Sequence, residues 1–238
     1  SGVDAAFFGN NYGVSDTFIR TRDVFSESTG LQMSNDVTTG NLTIITRNVV
    51  TGSTGISAVN QGTGATSVTV QGSVTSESGG GVSVFNDVQA QNLSVWTQDV
   101  QTGTGSGIGV SQEGSGSVYV RAAGEIVSQG GTGIRVNTGV QAASVTVAAA
   151  QDVFGEDWGV LVDHSGSGGV AVVVAGDIVG ELEDGVWVNA GPTSGYVTLD
   201  LQAVSGGDYG IRVDNAGLGG TVIRAAGPIL SNEIGIRA

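Results

Sequence analysis

Apolar residues in this chain alternate with polar ones over short stretches, and the alternating stretches return at a nearly constant interval. A glycine followed by an aliphatic residue occurs at Gly2-Val3, Gly30-Leu31, Gly55-Ile56, Gly81-Val82, Gly107-Ile108, Gly133-Ile134, Gly159-Val160, Gly185-Val186, Gly210-Ile211 and Gly235-Ile236. The successive intervals are 28, 25, 26, 26, 26, 26, 26, 25 and 25. In most units the residues one and three after the glycine are aliphatic, as in Ile134 and Val136 or Val186 and Val188. That is the period of a strand. A second alternating run follows about twelve positions on, in Val68-Thr69-Val70, Val118-Tyr119-Val120, Val145-Thr146-Val147, Val170-Ala171-Val172 and Val197-Thr198-Leu199. A third apolar point comes at Val49, Val74, Val100, Ile126, Val153, Ile178, Val204 and Ile229. Each unit thus holds three short strands joined by glycine-rich corners.

No apolar spacing of three and four persists, and β-branched residues and glycine dominate, so helices are disfavoured. The strand pattern has one polarity and lacks two-residue hairpin turns. The predicted fold is all-β: a single-stranded parallel β-helix, or β-solenoid, over residues 1–238 as one domain, with about nine coils of roughly 25–28 residues. Coils stacked at about 4.8 Å make a rod roughly 40 Å long. Inward valines and isoleucines contribute about 1.5–3 kcal/mol each when buried, but only against neighbouring coils, so stability belongs to the stack. Asparagines four or five residues into the unit (Asn35, Asn60, Asn86, Asn137, Asn189, Asn215, with Asp163 and Asp214) are expected at a corner, where they tolerate left-handed turns and bond locally.

Composition agrees and excludes several classes. The 42 glycines are not at every third position and come with 2 prolines, which excludes collagen. An apolar content of 39% excludes a disordered tail. With 22 acidic residues against 8 basic ones, all arginine, the net charge is −14. That is the wrong sign for nucleic-acid binding or an anionic membrane surface. No run reaches the roughly 18 apolar residues of a membrane span, and the first residues lack the charged and apolar regions of a signal peptide, so any export signal is expected to have been removed or to lie outside this sequence. Cysteine is absent, which removes disulfides and thiolate chemistry.

The units Gly-Ile-Arg-Val, Gly-Ser-Gly-Ser-Val-Tyr-Val and Gly-Asp-Ile-Val-Gly resemble the passenger segments of bacterial autotransporters, over essentially the whole chain. That resemblance implies a right-handed β-helix exposed on the outer cell surface or outside the cell, and implies no catalytic residue. The C-terminal translocating barrel of those families is not in this sequence. The Gly-Gly-x-Gly-x-Asp pattern of calcium-binding nonapeptide repeats is also missing; Gly206-Gly207-Asp208 places the aspartate wrongly.

Candidate chemistry lies in the columns that stacking creates. Just before the third strand run Asp23, Asn48, Ser73, Asp99, Glu125, Asp152, Asp177, Ala203 and Pro228. The four like charges Asp99, Glu125, Asp152 and Asp177 form a candidate calcium ladder. Its competitor is a solvated acidic face screened by salt, and no other cofactor is expected. A second acidic set, Glu27, Glu77, Glu156, Asp157, Glu181, Glu183, Asp184, Asp208 and Glu233, is expected to keep the rod soluble. Outward positions of the first strand change from Gln32, Ser57, Ser83 and Gly109 to Arg135, Leu161, Trp187, Arg212 and Arg237. Arg135, Trp187 and Arg212 are the candidate ligand face for a glycan or surface protein, with shielding of the strands as the alternative.

A threonine column on the second strand (Thr43, Thr69, Ser94, Tyr119, Thr146, Ala171, Thr198) is too interrupted for ice binding. Asp163-His164-Ser165 holds the residue types of a hydrolase triad but reads as a corner, as does Gly103-Thr104-Gly105-Ser106-Gly107. The leading functional expectation is a non-catalytic surface rod, structural or adhesive, that continues into further coils or stacks end to end on itself. The alternative is a polysaccharide-binding or polysaccharide-degrading β-helix protein.

Overall fold

The computed structural model describes residues 7–238, so the Gly2-Val3 unit lies outside the described residues. Three parallel sheets run the length of the stack, with ten, nine and nine strands. We call them sheets A, B and C in the order the chain visits them within a coil. One coil consists of Ile134–Thr138 in sheet A, Val145–Ala149 in sheet B and Val153–Gly155 in sheet C. Each strand pairs only with its counterparts one coil before and one coil after. The protein is an all-β parallel solenoid of about nine coils with three strands per coil.

The alternation drives this arrangement. Inward side chains such as Ile134, Val136, Val145, Val147 and Val153 have 0–1% exposure and stack on their equivalents above and below. The third apolar point occupies one sheet C column without a break from Val49 to Ile229. Coil-opening glycines are required by close approach. A Cβ on Gly107 would lie 2.7 Å from the Gly133 carbonyl oxygen and 2.7 Å from a methyl of Ile126.

Two expectations need correction. In sheet B, Thr66 pairs with Leu42 and Leu93, so Val68 stands level with Val95 and Val120, not with Val118. The strand begins two residues earlier than its valines indicate, because Thr66 replaces an inward leucine and satisfies its buried hydroxyl by donating to Asn86 Oδ1 at 2.5 Å. Thr69 therefore leaves the threonine column, which contains Ser67 instead.

The asparagine corner is in fact two columns on opposite faces of sheet A. Asn35, Asn60, Asn86, Gln112, Thr138, His164, Ala190 and Asn215 are in register on one, and Asn137, Asp163, Asn189 and Asp214 on the other. Nor do the corner asparagines serve as left-handed residues, since among the described residues only Gly79 and Gly105 have positive φ. The inward asparagines act as ties from strand end to corner. Asn60 Nδ2 donates to the Gly64 carbonyl at 3.2 Å, and Asn215 Nδ2 to the Gly219 carbonyl at 3.0 Å.

The coils also alternate in kind, which the glycine count does not reveal. Sheet A advances almost evenly from Leu31 through Ile56, Val82, Ile108, Ile134, Val160 and Val186 to Ile211. Sheet B instead advances by alternating short and long steps through Leu42, Thr66, Leu93, Val118, Val145, Val170, Val197 and Thr221. The source is the A-to-B corner. In every second coil it holds a hydrogen-bonded turn, from Thr39 N–H to Asp36 O, Ala90 to Asp87, Ala142 to Gly139 and Ser194 to Gly191. In the coils between, Gly62, Gly114, Gly166 and Gly217 press on the carbonyls of Thr39, Ala90, Ala142 and Ser194, leaving no space for a Cβ. The structural repeat is a pair of coils.

Removing one full pair, residues 81–132, keeps this alternation, whereas removing one coil, residues 107–132, sets two like corners face to face. The single-coil deletion is expected to melt about 5 °C or more below the double one despite losing fewer residues, because misfitted packing costs about 1–3 kcal/mol per site. Thermal melts by circular dichroism decide this.

His164 fills an asparagine tie position. Its Nε2–H donates to the Gly168 carbonyl at 3.1 Å, and in the neutral ring that burial favours Nδ1 accepts from the Thr138 hydroxyl at 2.7 Å. A ring with one donating and one accepting nitrogen is neutral. Burial lowers its pKa below the ordinary 6.5, against the opposing pull of the Gly168 carbonyl and Asp163. The unfolded chain then takes up the proton first on acidification. The stabilisation is complete above about pH 6.5 and is lost as pH falls toward the lowered folded value. His164→Asn preserves the tie and removes the proton uptake. Its melting temperature is expected to fall less than the parent's between about pH 7.5 and about pH 5.5.

Candidate functional site

The outward column of sheet A runs as its spacing predicts, from Gln32 through Arg135, Leu161 and Trp187 to Arg212 and Arg237. Trp187 and Arg212 are brought together. The Arg212 guanidinium lies 4.7 Å from the Trp187 ring centroid and 5.8 Å from that of Tyr209. Trp158, one coil before Trp187, leans on its ring at 6.2 Å between centroids with a 37° tilt. Asp214 ties the group together: Oδ2 accepts from Trp187 Nε1 at 3.2 Å and from Arg212 Nε at 2.7 Å, and Oδ1 lies 3.8 Å from the Arg237 guanidinium. Arg135 does not join them. It is exposed and stands two strands from Trp187, with Leu161 between.

The indole N–H, one indole face and the Arg212 charge are thus all engaged within the protein. Cation–π and aromatic contacts of this kind contribute about 0.5–2 kcal/mol each and brace neighbouring strands. Trp187, Arg212 and Asp214 form a clamp across the later coils.

The acidic column before sheet C is engaged in a similar way. Asp99 Oδ1 accepts the backbone N–H of Glu125 at 3.0 Å, and Asp152 Oδ1 that of Asp177 at 2.8 Å. A Cβ on the next coil's glycine would clash with the carboxylate oxygen, at 2.1 Å for Gly124 and 2.5 Å for Gly176. Asp99 and Asp152 turn along the stack to splint the next corner. Among the described residues no three His, Cys, Asp or Glu side chains are grouped to hold a metal ion, so Asp99, Glu125, Asp152 and Asp177 are not gathered into a calcium cage.

The second acidic set is only partly a solvated surface. Asp184 is 3% exposed and accepts the Tyr209 N–H at 3.1 Å. Burial raises its pKa and also that of Glu183, to which Asp208, Asp184 and Asp157 add their repulsion. Asp163 and His164 project to opposite sides of their strand, one exposed and one buried, so no triad forms with Ser165. The Gly103–Gly107 segment is a corner, as read from the sequence.

Sequence reasoning passed over a basic region at the other end. Arg20, Thr21, Arg22, Arg47 and Gln71 line an open depression of about 440 Å³ at the corner between sheets B and C. Arg47 Nε donates to Asp23 Oδ1 at 2.8 Å, and a second guanidinium nitrogen pairs with Oδ2. Arg20 and Arg22 are exposed and have no carboxylate partner among the described residues. Net charge concealed this local excess; the signal was the local run Arg20-Thr21-Arg22 followed one coil later by Arg47.

The Arg47 hydrogen bond holds the Asp23 carboxyl down at about 2, against an ordinary 3.8. A lowered folded pKa gives stabilisation that is present above 3.8 and lost as pH falls through about 2. Arg47→Gln is expected to return the Asp23 titration midpoint upward toward 3.8, as followed by carboxyl NMR.

The fold and these surfaces define a repetitive parallel β-solenoid protein. No protein-family model, curated protein or solved structure matches the chain.

Proposed function

We propose that this chain is a section of a non-catalytic, extracellular or cell-surface solenoid that acts as a structural and adhesive rod, as its resemblance to autotransporter passengers implies. The observation that carries the reading is the uniformity of the stack: strand registers continue from coil to coil and no coil among the described residues carries a long insertion. Polysaccharide-cleaving sites need carboxylates converging across a walled groove. Here the aspartates with the most defined positions, Asp99, Asp152, Asp184 and Asp214, bond to backbone or to neighbouring side chains instead. End-to-end stacking belongs to the same reading, since each terminal coil of a solenoid offers unpaired strand edges.

Three measurements test the proposal. Electron microscopy of the purified protein is expected to show thin rods, with continuous fibres if copies stack. Incubation with acidic and neutral polysaccharides is expected to release no reducing ends and no unsaturated products. Cleavage of any of them sinks the non-catalytic reading in favour of a β-helix polysaccharide-degrading enzyme. Antibody labelling of intact producing cells checks surface exposure.

A further inference from the structure

The outer face of sheet B changes character along the stack. One outward column reads Arg20, Ile45, Thr69, Trp96, Arg121 and Ala148 in register. Its companion reads Thr43, Ser67, Ser94, Tyr119 and Thr146. Beside them, on the corner toward sheet C, the residues Arg22, Arg47, Gln71 and Gln98 give way to Ala123, Ala150 and Ala175. The first five coils thus carry a band of arginine, glutamine and aromatic side chains that fades into alanine.

Apart from Arg47, which pairs with Asp23, the charged and aromatic side chains of this band are free in a way the Trp187 cluster is not. Among the described residues Trp96 has no ring partner and its indole N–H has no acceptor, while Tyr119 is 44% exposed and makes no ring-stacking or cation–π contact. Arg121, next to Trp96 in register and diagonal to Ser94, is exposed with no carboxylate partner, like Arg20 and Arg22. Four of the chain's eight arginines, Arg20, Arg22, Arg47 and Arg121, fall in this band although the protein carries 22 acidic residues. Of the carboxylates beside it, Asp23 is held by Arg47 and Asp99 by the Glu125 N–H.

We infer that this band binds an acidic polysaccharide lying along the rod, with Arg20 and Arg22 holding carboxylate groups and Trp96, Tyr119 and Arg121 holding sugar rings. The inference rests on the adhesive-rod reading and names its partner. The strand of Arg20 is four strand spacings from that of Arg121, roughly 19 Å, a span that suits an extended polymer better than a single small anion. Rigid amphipathic rings on a flat sheet, flanked by Ser67, Thr69 and Ser94, suit the faces of pyranose rings, and guanidinium forks match carboxylates. A nucleic acid brings a phosphate with every residue and relies on many cations. A chain of charge −14 with four local arginines serves it poorly.

The test is binding of the whole chain to oligogalacturonate, with a neutral galacto-oligosaccharide of equal length and poly(dT) as comparisons. Oligogalacturonate is expected to bind at least tenfold more tightly than either. The double substitution Arg20→Gln and Arg22→Gln should weaken it about tenfold and flatten its salt dependence. Trp96→Ala should weaken it about tenfold with the salt dependence unchanged, and Arg135→Gln on sheet A should leave it unaltered. All four positions point outward, and a circular-dichroism melt confirms folding of each variant. Absent binding, equal binding of the neutral sugar, tighter binding of poly(dT), or indifference to both band variants overturns the inference. Intact rods without polysaccharide cleavage leave the rod reading standing in each of those cases.

Discussion

Everything in this protein follows from backbone hydrogen bonds that run along the stack, holding each strand one sheet spacing from its counterpart in the next coil. A side chain in such a column meets its own equivalent directly above and below, so a residue is acceptable only if it packs against near-copies of itself. Valine and isoleucine satisfy that on the inside, and polar side chains satisfy it where they form ladders. Glycine satisfies it at corners where two coils approach too closely for a Cβ, as at Gly107. The glycine content is the result of crowding more than of turn conformation, since among the described residues only Gly79 and Gly105 require positive φ.

The same constraint explains what could be read from the sequence. Columns governed by steric repetition were legible: the sheet C line from Val49 to Ile229 and the sheet A line from Gln32 to Arg237 fall in register throughout. Features depending on one coil's particular partner were not. Thr66 stands in a leucine column because Asn86 is there to accept its hydroxyl. The pairing of coils does not show in the glycine spacing because sheet A, which those glycines open, absorbs the long and short corners into an almost even step.

The surfaces show a comparable division. Trp187 and Arg212 attract attention as residue types, yet Asp214 and Trp158 bind them into the protein. Trp96 and Arg121 look unremarkable in the sequence, a whole coil apart, and become neighbours only through sheet B register. Residue type identifies what a side chain can recognise; the count of internal partners decides whether it is available to do so. By that measure the acidic column is backbone support, and the basic depression at Arg20 and Arg22 is open surface.

The alternation of corner types bears on how the chain finds its own register. Near-identical coils invite mispairing, in which a segment docks one coil away from its place with its apolar columns still satisfied. Here a slip of one coil brings like corners together, driving the turn of Thr39, Ala90, Ala142 or Ser194 against another turn instead of a glycine. Only a slip of two coils restores the fit, and that leaves a loop of twice the length to close at greater entropic cost. Paired coils thus act as a proofreading device, a sequence-encoded parity that a strictly uniform solenoid lacks.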